Sequence, residues 1–384
     1  MESDMKNLVA IVLGYKGINS TGLIRSLGMA GFYVVFASSY SRIESRYTDE
    51  YLFLPEDEEE KLSVLCDFLK KLPEKAAIFT GDDNNNEFIE KNIYRLSPYC
   101  YCPNAGGKLL EISDKTFMAK IAENVGLAVP ANMLVDISKN TDCPLSFPVI
   151  VKPFAGYAGK KTDIQICQNS DEYSISREYL LHNGYEKVMI QSLLSSDNQQ
   201  DICLMGFSLP DGTVKIPCVI RKIRSYPLKM GSLSFGHVEN ELTVACLSKL
   251  EEFVRRTGFV GIFDIDLIIA DGVPYFIEIN YRNGQNGYVS TAAGYNIPAN
   301  WFRGMRGDKI DEIKNIAGLY YMDEHCDYKH ILEKKISFGE WFKDLRKTTV
   351  FSMYCKGDQR PFLRQYVRIP ERWKRKVTKY LGEI

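Results

Sequence analysis

The sequence predicts an α/β domain on an open parallel sheet, followed by a larger α+β domain. Three observations carry this: a strand, turn, helix rhythm up to residue 83, a change beyond residue 149 to strands meeting in Asp-Gly hairpins, and a length of 384 residues, more than one core usually organises.

Leu8 to Leu13 is an apolar run that stops at Gly14. Gly17 and Gly22 follow, and Leu23, Ile24 and Leu27 then recur at helical spacing. A second strand is expected at Phe32 to Ala37 and a later parallel one at Ala76 to Thr80, ending in Gly81-Asp82-Asp83. The glycines lack the GxGxxG spacing of a dinucleotide site and are read as turn formers. Near Ser113 the character changes: Ser113-Asp114 caps a helix through Phe117, Met118 and Ile121 to Gly126, with Pro130 beyond it. Strands are then expected at 149–152, 164–167, 188–194, 202–208, 214–223, 264–270 and 274–279, with Asp211-Gly212 and Asp271-Gly272 as hairpin turns. The domains read as 1–112, 113–308 and a basic C-terminal extension, 309–384.

Net charge is −1 with both signs interspersed, which argues against a nucleic-acid partner. Ten cysteines contain no CxxC pair, which speaks against a disulfide framework or a zinc site. No run approaches the ~18 apolar residues of a membrane span, so a soluble, cytoplasmic chain is expected. From residue 341 onward twelve Lys or Arg stand against four Asp or Glu. After Pro370, Trp373, Val377, Tyr380, Leu381 and Ile384 share one helical face opposite Arg372, Lys376 and Lys379. Two readings stay open: residues 371–384 contact an anionic membrane, or they dock on their own protein with the basic face solvated.

The chemistry concentrates in Asp264 to Arg282. A hairpin turning at Asp271-Gly272 brings Asp266 beside Glu278 and Asn280, because residues two apart on a strand share a face. Three oxygen donors suit Mg²⁺, which commonly takes one or two carboxylates plus phosphate oxygens. Arg282 lies on the same face if the strand continues and can neutralise a phosphate or a carboxylate. Upstream, a strand ends in Lys152 and leads into a loop with Gly156 and Gly159, where backbone amides can approach phosphate. The P-loop spacing is absent, and a basic surface hairpin reads equally well. The four histidines, His182, His237, His325 and His330, are dispersed. His237, after the glycine-flanked segment 231–236, is the candidate for positioning an acceptor.

In this order, and with IEINYR at 277–282, these segments resemble the ATP-grasp superfamily over residues 8 to 287. Trp341 to Asp344, Ser352 to Tyr354 and Asp358 to Phe362 extend the likeness to its D-aspartate-ligase-like carboxylate–amine ligases. The resemblance implies a pre-ATP-grasp α/β domain, then a two-lobed ATP-grasp domain using ATP and Mg²⁺, with Mn²⁺ as a substitute. It implies phosphate contacts from Lys115 and Lys152 and a closing loop at 156–162 that includes Gly156 and Gly159. Gln191, Ser192, Leu193 and Leu194 fall at the adenine hinge, with glutamine and serine where the family often has glutamate, and Asp201 falls at the ribose. Either Arg221 or Lys222 supplies a strand cation facing the phosphates. Asp266, Glu278 and Asn280 match the magnesium ligands, with Asp264 a rival for the first, and Arg282 matches the cation beside the transferred phosphoryl group. The implied reaction joins a small-molecule carboxylate, an amino acid, to an amine through an acyl phosphate. Oligomeric state is not readable from the sequence; a homodimer is one option, since dimers are the commonest assemblies. Carboxylation or phosphorylation of a small substrate, and a non-catalytic nucleotide sensor, are the competing readings.

Overall fold

A computed structural model describes residues 8–40, 42–139, 142–153, 163–194, 198–228, 231–239, 247–314, 316 and 318–367. The fold is α/β plus α+β. Among the described residues, three sheets organise it.

The first is parallel, in the order β3-β2-β1-β4-β5, formed by β1 (Val9–Leu13), β2 (Tyr33–Ser38), β3 (Glu50–Phe53), β4 (Ala76–Thr80) and β5 (Cys100–Tyr101). Its apolar runs are buried on both faces, as a parallel sheet covered by helices requires. Strand order reverses between β1 and β4, so their carboxyl ends frame a crevice. Gly81 sits at that crevice, where a Cβ would stand 2.7 Å from the Cβ of Asn19. Glycine therefore lets the Asn19 amide reach the Gly81 carbonyl at 2.6 Å.

The second sheet is a small antiparallel lobe, β6 (Asn132–Asp136), β9 (Lys187–Ser192), β7 (Val149–Pro153) and β8 (Gln165–Cys167), packed on the helix Ser170–His182. The third, central sheet runs β14-β13-β10-β11-β12-β15-β16: β14 (Val273–Asn280), β13 (Gly261–Ala270), β10 (Gln200–Ser208), β11 (Val214–Tyr226), β12 (Ser232–Val238), β15 (Tyr320–Met322) and β16 (Thr348–Phe351). One face of it, through Cys203, Met205, Phe207, Cys218 and Ile220, shares a core with the parallel sheet and with helices Ile18–Met29, Gly287–Ala292 and Ile297–Arg306. The other, through Ile202, Leu204, Val219 and Ile265, packs on helices Lys115–Asn124 and Leu247–Thr257. Asp114 caps the first of these by accepting from the Phe117 amide at 2.9 Å. Among the described residues no helix is long and apolar enough to cross a membrane.

Two features differ from expectation. Residues 231–236, read as a glycine-flanked segment, fall largely within strand β12. The C-terminal region is continuous with the central sheet, since β15 and β16 extend it. It also returns to the first domain. Arg25, fully buried, donates through Nε to Asp358 Oδ2 at 2.8 Å and through Nη2 to the Met353 and Asp358 carbonyls at 2.6 and 3.1 Å. Asp358 also accepts from Ser45 Oγ and the Arg46 amide. Removing one member of a buried pair strands the other charge. Arg25→Met should thus lower unfolding free energy by about 3–5 kcal/mol, and Arg25→Met/Asp358→Leu by much less, measured by chemical denaturation as a double-mutant cycle.

Candidate active site

Register builds the site. Across β13 and β14, Asp264 opposes Asn280 and Asp266 opposes Glu278. The turn between them has φ of 51° at Asp271 and 78° at Gly272, the left-handed pair of a type I′ hairpin. On the other side β10 places Cys203 opposite Asp266, and β11 places Lys222 opposite Asp201. Lys222 Nζ donates to Asp266 Oδ1 at 2.7 Å, and the Cys203 thiol donates to the same oxygen at 3.1 Å. Burial alone lowers the Lys222 ammonium, but the acidic groups of Cys203, Asp266 and Asp264 outweigh it and push Lys222 well above the usual lysine range.

Asp264 lies deeper, 7% exposed, and its Oδ1 has no hydrogen-bond partner. Burial first, then the charge of Asp266, pushes its carboxyl up to about 7, against the opposing pull of Lys222 and Arg282. A Cβ at position 284 would collide with the Asp264 carboxylate, so Gly284 allows the chain leaving β14 to lie over it. Asn86 and Asn19 fasten this chain to the crevice of the parallel sheet, through the Tyr281 carbonyl at 2.7 Å and the Asn283 carbonyl at 3.4 Å.

Two cavities meet at Lys152. One, about 490 Å³, lies between the small lobe and the central sheet and is lined by Gln191, Ser192, Leu193, Leu194, Asp201 and Lys222. The other, about 460 Å³, lies below the parallel sheet and is lined by Lys115, Glu278, Asn280, Asp83, Asn86 and Tyr281 among others; Lys152 borders both. Lys152 Nζ donates to Gln191 Oε1 at 2.7 Å. Its ammonium is pulled down to about 8, by burial and then by the neighbouring charge of Lys115.

Some candidates fall elsewhere. Strand β14 ends at Asn280, and Arg282, instead of continuing it, turns to Asp83 of the first domain, Nε to Oδ1 at 2.8 Å. Arg221 opposes Ile202 and His237, so it projects from the sheet face opposite Lys222 and pairs with Glu239 at 2.8 Å. His237, the acceptor candidate, stands on that same far face with Tyr320 against its ring. Of the two alternatives for the strand cation, Lys222 faces the carboxylates. Gly156 and Gly159 lie outside the described residues. Asp83, Asn86 and Cys203 drew no notice as functional groups in the sequence; Gly81-Asp82-Asp83, a turn signal closing a parallel strand, was the available clue.

The donor set suits a hard divalent cation. All its groups offer oxygen, and the Asp264 oxygen is buried without a partner beside two further acids. Among the described residues no three His, Cys, Asp or Glu converge closely enough to hold a metal, so such an ion would take fewer carboxylates and complete its shell with phosphate or water, the Mg²⁺ habit.

Residues 112–284 match the family model of the ATP-grasp domain. The D-aspartate ligase of Enterococcus faecium (strain Aus0004) is 24% identical over 241 residues, covering 58% of this chain and 57% of that protein. Among solved structures, the L-amino acid ligase from Bacillus licheniformis superposes with a TM-score of 0.62 at 16% identity, over 81% of this chain and 78% of that one. The ADP complex of purK, N5-carboxyaminoimidazole ribonucleotide synthetase, gives 0.64 at 15% identity, over 86% and 85%. These structural likenesses speak to the fold.

The depressed Lys152 sets a pH limit. Its charged form is lost as pH rises through about 8, so if this ammonium meets the phosphates of ATP, affinity by isothermal titration should be about tenfold weaker at pH 9 than at pH 7.5. Lys152→Met should bind weakly and without that dependence.

Proposed function

We propose, from the match of residues 112–284 to the ATP-grasp family model, that the protein is an ATP-dependent carboxylate–amine ligase with an amino acid as carboxylate donor. The observation that carries this reading is the meeting of two cavities at Lys152, with Lys115, Glu278 and Asn280 on one side and Gln191 to Leu194, Asp201 and Lys222 on the other. A nucleotide spanning that point sets its base against the hinge and its phosphates among the lysines.

Gln191 to Leu194 hold the adenine edge, Asp201 the ribose, and Lys115 and Lys152 the phosphates. Asp266, Glu278 and Asn280 would hold Mg²⁺, with Asp264 behind them; the ion supplies charge neutralisation on the phosphate oxygens. Lys222 orients Asp266 through its hydrogen bond. A carboxylate oxygen of the donor attacks the γ-phosphorus, the bond to the β-phosphate oxygen breaks, and ADP leaves. The amine then attacks the acyl carbon of the resulting acyl phosphate, the carbon–oxygen bond breaks, inorganic phosphate departs and the amine loses its proton. Catalysis of this kind is positioning and electrostatics, so no nucleophilic side chain is needed.

The donor sits in the cavity under the parallel sheet. Arg282 takes its carboxylate and Asp83 its ammonium, a zwitterion exchanging partners with an ion pair already formed between them. A reaction that consumes ATP fits a cytoplasmic location. A second reading, with bicarbonate as the carboxylate, draws on the likeness to N5-carboxyaminoimidazole ribonucleotide synthetase; bicarbonate carries no ammonium and makes no use of Asp83.

ADP release with Mg·ATP should require a carboxylate and an amine together, and Glu278→Gln should cut it by at least about 100-fold. Release driven by bicarbonate, or the same rate without any carboxylate, would overturn the amino-acid reading. Asp83→Asn should raise KM for the amino acid by about tenfold with kcat nearly unchanged, as steady-state kinetics against the des-amino acid will show.

A further inference from the structure

The C-terminal region carries an apolar groove that the proposed reaction leaves unused. Its main wall is the helix Phe338–Lys347, where Phe338, Trp341, Phe342 and Leu345 fall at i, i+3, i+4 and i+7 and form one stripe. No residue of that helix is buried, and Phe338 and Phe342 are 65% and 46% exposed. Trp341 and Leu345 of this stripe line a groove of about 620 Å³ together with Tyr328, Phe351, Tyr354 and Phe362, and with Glu324 and His325. The indole Nε1 of Trp341 is buried there without a hydrogen-bond partner.

The helix is held with this stripe outward by its opposite side. Asp344 accepts from Arg224 Nη1 at 2.6 Å, and the remainder of that guanidinium is gripped by Asp327 through Nε and Nη2 at 3.0 and 2.8 Å. Asp327 is fully buried and also accepts from Ser234. Such a clamp keeps the helix from rolling its aromatic side into the protein. An apolar surface of this size, fixed outward, calls for a partner.

We propose that the partner is the chain's own segment 368–384, seated in the groove by its apolar face. Three considerations favour it. Trp373, Val377, Tyr380, Leu381 and Ile384 recur at helical spacing, so the segment offers a stripe that matches the groove in character, with Arg372, Lys376 and Lys379 left facing water. The segment begins immediately after the helix Arg360–Val367, whose Phe362 is itself a groove wall, so it needs no long tether. At that tether length the effective concentration of the segment is in the millimolar range, far above what a separate partner must reach. The seated segment covers the aromatic stripe and braces the helix whose Asp344 holds Arg224, two residues along β11 from Lys222.

Hydrogen–deuterium exchange on the full chain tests this. Val377→Asp/Leu381→Asp should speed amide exchange across residues 338–346 by about tenfold. Leu345→Asp, made on the groove side, should speed exchange across 372–381 by a similar factor. Protection of 338–346 should not change with protein concentration. Unchanged exchange in both variants overturns the proposal. So does protection that grows with concentration, which assigns the groove to a second copy. Cosedimentation with phosphatidylglycerol vesicles that Val377→Asp/Leu381→Asp abolishes, while exchange at 338–346 stays the same, overturns it in favour of a lipid surface.

Discussion

Register between β13 and β14 is the constraint on which the site depends. Side chains alternate along a strand, so a slip of one residue would carry Glu278 and Asn280 to the far face and leave Asp264 and Asp266 opposite apolar groups. The I′ turn at Asp271-Gly272 pins that register locally. A bulge between Asp266 and Leu267 then shifts it, restoring apolar pairing toward the turn while keeping acid opposite acid and acid opposite amide at the site. Everything else converges on this short ladder: β10 brings the Cys203 thiol, β11 brings Lys222, and the loop after β14 is tied to the parallel sheet by asparagines.

The charge arrangement is one that stability alone would not select. Asp264, Asp266 and Glu278 are close enough that Asp266 and Glu278 both raise Asp264, and Lys115 lowers Lys152 by the same like-charge effect. Like charges gathered in a half-buried cleft cost free energy unless something of opposite sign arrives. Here each cluster is the other's complement only in part, through Lys222 and Arg282, and the surplus on both sides suits an anionic nucleotide arriving with a divalent cation. Strain of this electrostatic sort is a mark of function and not of folding.

Much of this was legible in the sequence, for identifiable reasons. Strands β1, β4, β7, β10, β11, β13 and β14 are apolar and bounded by glycine or Asp-Gly turns, so their period spoke plainly. Short strands such as β15 and β16, and β12 with Ser232, Ser234 and Gly236 inside it, gave weak periodicity and owe their form to neighbours in the sheet. At the site, period-two reasoning correctly grouped Asp264, Asp266, Glu278 and Asn280 on one face. It could not choose between Arg221 and Lys222, because adjacent residues differ only in which face they take, and that depends on β10 and β12. Nor could it foresee Asp83 against Arg282 or Asn86 against Tyr281, contacts 199 and 195 residues apart that exist only once two domains have docked.

The Arg25 clamp bears on how the chain is made. Its carboxylate partner lies 333 residues downstream, so during synthesis the first domain holds a guanidinium at a site whose counter-charge has not yet emerged. Domains generally fold in order as the chain leaves the ribosome, but this one gains the counter-charge of Arg25 only after residue 358 has emerged. Until then the Arg25 guanidinium keeps its water, and its burial is a late event of long loop length that an amino-terminal fragment ending before Asp358 would not complete.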